Sequence, residues 1–322
     1  MRLIINKNND PAWNLALEEH LFKMAGRERQ SLVMFWRNAP SVIVGRFQNT
    51  SEEINEAAVT SAGARVVRRG TGGGAVYHDL GNLNYSLILA REDLADLDFR
   101  LLAEPVLKTL RRLGVPAELS GRNDLTVNGL KFSGTAQQAR PGSVLYHGTL
   151  LYDTDLSRLA EMLQVDPAKY ESKGVKSVRA RVTNLKPHLP EGFSLEDLEN
   201  ELIRDLATPA RELEPDDLAA AGRLKAEKYD TWDWNWGRSP DFTVKKDQRF
   251  PWGRISLRLN VAQGIIREAR IFGDFFSREL ESLEATLTGG RYSPAHLRET
   301  LRPLSDLIVG ASSQDIAALA ES

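Results

Sequence analysis

Three consecutive glycines at positions 72–74 constrain this chain more than any other feature. They lie in the stretch RRGTGGGAVYHD at residues 68–79. Glycine loses more backbone entropy on folding than any other residue, so a run of it is retained mainly where the backbone must approach another body closely. Bare N–H groups in such a loop can surround an anion, and the two arginines add positive charge beside it. The stretch therefore predicts a phosphate or carboxylate site, although many glycine-rich loops are plain turns.

The glycine stretch differs from the two commonest nucleotide-binding patterns. It contains no Gly-x-x-x-x-Gly-Lys-Ser/Thr sequence, and it matches the dinucleotide fingerprint poorly. If the loop binds a nucleotide, it does so in another architecture.

Composition excludes several classes of protein. The chain has 322 residues, a net charge of −2, 42% hydrophobic residues and no cysteine. This is typical of a globular protein with one large domain or two ordinary ones, without a global field that favours nucleic acid or an anionic membrane. The missing cysteines exclude disulfides, thiolate zinc sites and a cysteine thioester. No signal peptide or bilayer-spanning apolar run is found, so we expect a cytoplasmic protein.

Strand and helix patterns follow one another without regular βαβ alternation, which predicts an α+β fold with a largely antiparallel or mixed sheet. A turn at residues 38–40 joins the first two predicted strands, and Asn128-Gly129 predicts a hairpin. In the first part of the chain the patterns predict strands at residues 32–36, 41–45, 65–69, 84–90, 125–127, 130–133 and 143–152, and helices at 12–25, 52–62, 99–113, 194–206 and 215–228.

The C-terminal part reads as a second, small α+β domain. Strands are predicted at residues 241–246, 252–262 and 265–273, and helices at 277–287 and 294–308. Three of the six tryptophans lie at residues 232–236, and because tryptophan is stabilised by burial we expect this segment to pack at a junction. We therefore divide the chain into domains at residues 1–241 and 242–322.

A second polar cluster surrounds the predicted hairpin. Lys131 lies on its second strand, where an ammonium group could neutralise a phosphate and a carboxylate together, as a carboxylate–nucleotide condensation requires. Asn123 and Asp124 precede the first strand and could hold a magnesium ion or simply cap a turn. His147 lies at a strand edge, and the five histidines lack the spacing of a zinc site.

Residues 169–186 form a strongly basic segment. Six lysines and arginines face one acid there, and the segment has little apolar periodicity. It is interpreted either as a solvated surface loop or as a mobile loop that becomes ordered over a polyanion.

Together these motifs resemble those of the bacterial two-domain lipoate–protein ligases. The resemblance runs from residue 8 to the C-terminus and agrees in order and spacing. It implies a catalytic domain of the biotin/lipoate ligase type at residues 1–241, with a large mixed or antiparallel sheet, and a small α+β accessory domain at 242–322. The matching stretches are residues 36–38, 45–49, 68–79, 121–124, 131–136, 147–151 and 174–185, with 234–237 and 249–253 matching the junction and accessory domain.

The resemblance implies a two-step reaction that uses ATP and Mg²⁺. Lipoate or octanoate first gives acyl-AMP and pyrophosphate. The acyl group then passes to a lysine ε-amine of a lipoyl domain of a 2-oxoacid dehydrogenase E2 subunit, or of the glycine-cleavage H protein. Lys131 would be the catalytic residue, bridging the carboxylate and the α-phosphate, and Asp124 would hold the metal ion.

The remaining site residues are also implied by the resemblance. ATP and the adenylate would be bound by Arg69, Thr71, Gly72, Gly73, Gly74, Ala75, Val76, Tyr77, Asn123, Asp124, Lys131, Gly174 and Thr183. Lipoate would lie against Leu15, Leu17, Trp36, Val44, Arg69, Gly74, His78, Lys131, Ser133, Gly134 and His147.

Three other functions compete with this interpretation. An octanoyl or lipoyl transferase of the same fold would use no ATP, but its cysteine type is excluded here and its lysine type lacks a C-terminal domain. A biotin ligase carries a different glycine-arginine loop. A non-catalytic module that only captures lipoyl protein would not need Lys131 and the glycine loop.

Overall fold

The computed structural model describes residues 1–91, 102–121, 123–163, 182–206, 208–236, 243–262, 264–277 and 280–321. Its strands are β1 (Arg2–Ile5), β2 (Leu32–Trp36), β3 (Ser41–Val44), β4 (Arg65–Arg68), β5 (Val76–His78), β6 (Asn82–Ala90), β7 (Ala117–Ser120), β8 (Asp124–Val127), β9 (Leu130–Arg140), β10 (Ser143–Leu151), β11 (Ala210–Arg211), β12 (Val244–Phe250), β13 (Gly253–Ala262) and β14 (Ile265–Gly273).

The α-helices are α1 (Pro11–Glu28), α2 (Thr50–Glu53), α3 (Glu56–Ser61), α4 (Glu104–Arg112), α5 (Leu156–Met162), α6 (Leu195–Leu206), α7 (Pro215–Leu224), α8 (Trp232–Asn235), α9 (Glu281–Leu287), α10 (Pro294–Leu301), α11 (Leu304–Leu307) and α12 (Ser313–Glu321). A 3₁₀ turn covers Lys186–His188 and a π-helical turn covers Lys225–Tyr229. No helix in the described ranges is long and apolar enough to cross a membrane.

The largest sheet is mixed, as the sequence predicts. Its strand order is β11-β1-β2-β6-β10-β9-β8-β7. Strand β1 pairs in parallel with β2 and β11. All the other neighbouring pairs in this strand order are antiparallel. Its apolar side chains form a core with α4 and α6 on one face, and α1 packs on the other. The prediction of an α+β fold is confirmed.

Strand β3 lies in a separate sheet of order β4-β3-β5. The turn at residues 38–40 therefore carries the chain from one sheet to the other rather than closing a hairpin between β2 and β3. Both strands are buried along their whole length, so neither shows the alternation that would have revealed its partner.

The predicted hairpin is present between β8 and β9. Asn128 and Gly129 have φ angles of +51° and +77°, as a two-residue primed turn requires. Strand β9 runs on to Arg140 rather than ending at residue 133, because its second half pairs with β10 from Thr135 to Arg140.

Two predicted helices are divided in the structure. The helix predicted at 52–62 ends after α2, where Ile54 pairs with Leu163, and restarts as α3 with Asn55 as its N-cap. The helix predicted at 294–308 divides into α10 and α11 around Arg302 and Pro303, because proline cannot continue a helix past its first turn. Helix α9 begins at Glu281 rather than at residue 277, and α12 was not predicted.

The C-terminal part is built on an antiparallel sheet of order β12-β13-β14. Helices α9 to α12 supply the other half of its core, which includes Trp252, Phe275 and Leu301. Residues 237–242 lie outside the described ranges, so the boundary at 241/242 stays a prediction.

Candidate active site

The glycine loop begins at the end of β4, where the two arginines take different directions. Arg68 is fully buried, and its guanidinium donates to the backbone carbonyls of Gly45 at 2.9 Å, Gln48 at 2.6 Å and Trp234 at 2.8 Å. Its charge therefore holds the 45–48 turn and the tryptophan segment together, rather than lying beside an anion as the sequence suggested. Trp234 Nε1 returns a bond to the Arg68 carbonyl at 2.7 Å.

Arg69 turns inward and braces the loop itself. Its Nε donates to Thr71 Oγ1 at 3.0 Å, and its terminal nitrogens donate to the carbonyls of Ile43, Gly72 and Gly74 at 3.2, 2.6 and 2.9 Å. Burial lowers the pKa of Arg69 to about 10, and Glu18 opposes this shift. Arg69 is still a cation at neutral pH, with most of its N–H groups already committed to the loop.

Close approach explains Gly72 in the loop and Gly45 outside it, and a left-handed backbone explains Gly73. A β-carbon on Gly72 would lie 2.2 Å from the carbonyl oxygen of Phe275, and one on Gly45 would lie 1.9 Å from that of Gly73. Gly73 has a φ of +91°, and its N–H donates to the Phe275 carbonyl at 3.3 Å. The loop is thus packed between the 45–48 turn and the C-terminal part, whereas a β-carbon on Gly74 would meet no atom within 4 Å.

A cavity of about 120 Å³ opens beside this loop. One group of lining residues is apolar and comes from α1, β2, β3 and β5. A second group carries polar side chains and comes from the loop, from β5, β6, β9 and β10, and from the residue that precedes β8. The lining consists of Leu15, Trp36, Ile43, Arg69, Gly73, Gly74, Ala75, Val76, His78, Asn84, Asn123, Lys131, Gly134, Thr135, Ala136, His147, Gly148 and Thr149.

Several residues that the sequence assigned to the site do not line this cavity. Strand alternation directs Val44 and Tyr77 into the opposite hydrophobic cluster, so Ile43 and Val76 face the cavity instead. Leu17 packs in the core between α1 and the sheet. Thr71, Gly72, Asp124, Ser133 and Thr183 also lie outside the lining, and Gly174 lies outside the described residues.

Lys131 and Asp124 form an ion pair at the cavity. Lys131 Nζ is 2.7 Å from Asp124 Oδ1, and both side chains are about one-third exposed, at 35% and 39%. The end of the basic segment comes up beside them, because the Thr183 N–H donates to the Lys131 carbonyl at 2.9 Å. Residues 164–181 are outside the described ranges, so the expectation that this segment becomes ordered over a polyanion stays a prediction.

The sequence analysis missed a buried polar chain that begins at Glu18. The Glu18 carboxylate accepts from Ser86 Oγ at 2.5 Å and lies 2.9 Å from His147 Nδ1, while His147 Nε2 lies 2.9 Å from Thr71 Oγ1. Thr71 in turn accepts from Arg69. Helix α1 is thereby connected to the glycine loop through hydrogen bonds. The one sign of this chain in the sequence was Glu18 itself, a charged residue among the apolar positions of α1.

Comparison with known proteins decides the family. Residues 10–207 match the Lipoyl protein ligase A/B catalytic domain, and residues 239–319 match the Bacterial lipoate protein ligase C-terminus. Lipoate-protein ligase LplJ of Bacillus subtilis is 42% identical over 310 residues, covering 94% of this chain and 93% of its own length. The chain belongs to the lipoate–protein ligase family. The resemblance seen in the sequence is confirmed.

Solved structures of related ligases share the fold. LipL1 of P. falciparum in complex with lipoate aligns with a TM-score of 0.80 at 25% identity, covering 99% of this ligase and 98% of that chain. A bi-partite ligase of Thermoplasma acidophilum, described with its E2 lipoyl domain, aligns at 0.67 and 32% identity, with coverage of 76% and 98%. A lipoate-protein ligase A bound with ATP aligns at 0.64 and 30% identity, with coverage of 73% and 98%.

The residues of this ligase fit a magnesium ion that arrives with a nucleotide better than a resident metal ion. In the described part of the chain, no group of three or more histidine, aspartate or glutamate side chains could hold a metal ion. Mg²⁺ is commonly bound by one or two carboxylates together with substrate phosphates. Asp124 could supply such a carboxylate, since it lies beside Lys131 at the cavity.

Proposed function

We propose that this cytoplasmic ligase activates lipoate or octanoate with Mg-ATP and transfers the acyl group to a lysine of an E2 lipoyl domain or of the glycine-cleavage H protein. The observation that carries the proposal is that Lys131 and the glycine loop line the same cavity as Leu15, Trp36, Ile43 and Val76. An ammonium group and backbone N–H groups suit a carboxylate and a phosphate, and the apolar residues suit an acyl tail.

The relatives support lipoate, ATP and a lipoyl domain as reactants. One related structure contains lipoate, another contains ATP, and the archaeal ligase is described with an E2 lipoyl domain. We also propose that residues 1–241 form the catalytic domain and 242–322 the accessory domain. The acyl and adenylate site is assigned to the cavity-lining residues, with Asp124 and Thr183 beside Lys131; Leu17, Val44 and Tyr77 are not carried over, because they face away.

The first chemical step requires Lys131 to leave Asp124. A carboxylate oxygen of lipoate attacks the α-phosphorus of ATP, the new O–P bond forms, and pyrophosphate leaves with the electrons of the broken bond. The Lys131 ammonium would lie between the two negative groups and reduce their repulsion in the transition state. Asp124 would turn to the magnesium ion, which supplies charge neutralisation of the phosphates when bound.

The second step requires a neutral acceptor amine at the same cavity. The amine nitrogen attacks the acyl carbonyl carbon, an amide bond forms, and AMP leaves with the electrons of the broken anhydride bond while the amine proton passes to solvent. Lys131 would hold the carbonyl oxygen as negative charge develops on it.

Lipoate-dependent exchange between ATP and labelled pyrophosphate tests the proposal, because it measures adenylate formation alone. We expect exchange by the wild-type protein only when lipoate is present, and a rate roughly 10²–10³ lower for Lys131→Ala. Lys108→Ala is a matched control, because Lys108 is exposed on α4.

Two outcomes would count against this function. Wild-type exchange in a folded Lys131→Ala protein would remove the role of Lys131. Acyl transfer that proceeds without ATP and without exchange would identify a transferase instead.

A further inference from the structure

A chain of three side-chain amides runs from the end of the N-terminal strand to the cavity. Asn6 Nδ2 donates to Asn14 Oδ1 at 2.8 Å, Asn14 Nδ2 donates to Asn38 Oδ1 at 2.9 Å, and Asn38 Nδ2 lies 3.0 Å from His78 Nδ1. Asn14 and Asn38 are both fully buried. None of the three asparagines was assigned to the site from the sequence, and none lines the cavity.

Backbone carbonyls fix the direction of this chain. Asn14 Nδ2 lies 3.0 Å from the carbonyl oxygen of Asn8 and 2.9 Å from that of Arg37. A carbonyl oxygen can only accept, so the amide nitrogen of Asn14 must occupy this position. The two N–H groups of Asn14 are shared among three acceptors, and the Asn38 atom that faces them must be the oxygen, because an amide nitrogen cannot accept a hydrogen bond. This leaves the Asn38 amide nitrogen facing His78.

The direction of the chain determines the tautomer of His78. An amide nitrogen only donates, so His78 Nδ1 must be the unprotonated, accepting nitrogen. In a neutral imidazole the proton is then on Nε2. Burial, with the nearby charges of Arg69 and His147, lowers the pKa of His78 to about 3, so the ring is neutral throughout the physiological pH range.

The protonated nitrogen has no partner among the described residues. His78 is 3% exposed and lines the cavity, and its Nε2 is buried without a hydrogen bond. A buried donor without a partner destabilises the fold, so its retention at a binding cavity calls for a partner that arrives with the substrate.

We propose that the chain Asn6–Asn14–Asn38 is a positioning device that keeps His78 in its Nε2–H form, and that this N–H donates to an acceptor atom of the acyl substrate. The acceptor is a carboxyl oxygen or a dithiolane sulfur. The identity of the ligand rests on the proposed function, whereas the tautomer is a property of the free protein.

Nitrogen-15 NMR of histidine-labelled protein without ligand tests the tautomer directly. We expect the His78 signals of the wild-type protein to report protonated Nε2 and unprotonated Nδ1, with His78→Gln used for assignment. In Asn38→Asp the carboxylate can only accept, so His78 should switch to protonated Nδ1. His20, which lies 2.8 Å from Asp217, is the internal control and should not change. A wild-type His78 protonated on Nδ1 would overturn the proposal, whether or not the variant folds.

Calorimetric binding of lipoate and octanoate to the full-length protein tests the donor. We expect His78→Leu to weaken binding about 10-fold, and His78→Gln, which retains an N–H donor, to restore part of the loss. Equal losses for both acids place the acceptor at the carboxyl group, and a loss for lipoate alone places it at the dithiolane ring. Unchanged binding of both acids overturns the donor role. Failure of the wild-type protein to bind either acid contradicts the proposed function and the donor role, but not the tautomer.

Discussion

At the scale of single residues, Gly45 and Gly74 differ in the space that surrounds their β-carbon positions. Gly45 leaves no room for a side chain, because its β-carbon would collide with the carbonyl of Gly73. Gly74 has open space around its β-carbon position and lines the cavity. We propose that ligand binds at this open position, which belongs to the same cavity as Lys131.

We therefore expect Gly74→Ala to fold normally and to bind its ligands poorly. The free energy of unfolding, measured with urea, should change by less than about 0.5 kcal/mol, because the new methyl group meets no atom. Lipoate-dependent pyrophosphate exchange should fall at least about 10-fold, because the methyl group occupies ligand space. Gly222→Ala on α7 is the control and should leave exchange unchanged. Wild-type exchange by Gly74→Ala would contradict the placement of the ligand.

The sequence identified most of the residues that line the cavity, but not which face of each strand meets it. The loop was identified from its glycine run and Lys131 because a lysine beside Ser-Gly-Thr is unusual in a plain hairpin. His78 and His147 also line the cavity, but they were assigned only through the family resemblance. Ile43 was missed and Val44 chosen because β3 is buried on both faces, and a strand without polar alternation does not reveal which face meets a cavity. Glu18 was missed because its partners His147 and Ser86 are brought to it only by the tertiary fold.

At the scale of elements, helix α1 is joined to the π-helical turn by a partly buried charge cluster. Glu19 lies 2.7 Å from Lys228 Nζ and 2.6 Å from Lys23 Nζ, and it accepts from the Tyr229 hydroxyl at 2.6 Å. Burial alone would raise the pKa of Glu19, but these partners outweigh it and lower that pKa to about 2. Burial also lowers the pKa of Lys228, and Glu19 opposes that shift.

This cluster predicts a pH dependence of stability. Because the folded pKa of Glu19 lies below its ordinary value of 4.5, the carboxylate stabilises the fold above pH 4.5, and this contribution is lost as the pH falls toward 2. Glu19→Gln should therefore lower the free energy of unfolding by about 3 kcal/mol at neutral pH, and the difference from wild type should shrink in acid. Urea unfolding across this pH range measures it, with the exposed Glu28→Gln as control. A difference independent of pH would contradict the assignment.

Local signals fixed the hairpin but not the helix interruptions. Asn128-Gly129 specifies its turn through its own backbone preferences, so the β8–β9 connection could be predicted. The break between α2 and α3 depends on Ile54 pairing with Leu163, more than 100 residues away, and no local pattern carries that information.

At the scale of the whole molecule, the C-terminal part packs against one side of the glycine loop. The rings of Phe47 and Phe275 stack at 5.2 Å between centroids, and the Gly273 N–H donates to the Phe47 carbonyl at 2.5 Å. Glu52 of α2 accepts from Arg258 of β13 at 3.0 Å. The two parts therefore meet at the loop proposed to bind the adenylate, a contact that the sequence did not predict because it joins residues about 200 positions apart.

Phe275→Ala tests this contact. The side chain is fully buried between Phe47 and Trp252, so its truncation should lower the free energy of unfolding by about 3–5 kcal/mol. Pyrophosphate exchange, measured where the variant remains folded, should also fall, because the Phe275 carbonyl that contacts Gly72 and accepts from the Gly73 N–H loses the side-chain packing that positions it. Val309→Ala, at a residue 60% exposed, should change neither quantity. A loss of stability with full exchange activity would show that this contact does not support the site.

Intact-mass spectrometry of an acceptor lipoyl domain tests whether this one cavity carries out ATP-dependent acyl transfer. The purified wild-type protein, lipoate and Mg-ATP should add one lipoyl group to the domain, and omission of ATP should abolish the addition. Lys131→Ala should fail under the same conditions, while Lys108→Ala should match wild type. Addition without ATP would contradict ATP-dependent activation, and undiminished addition by Lys131→Ala would contradict the role of Lys131.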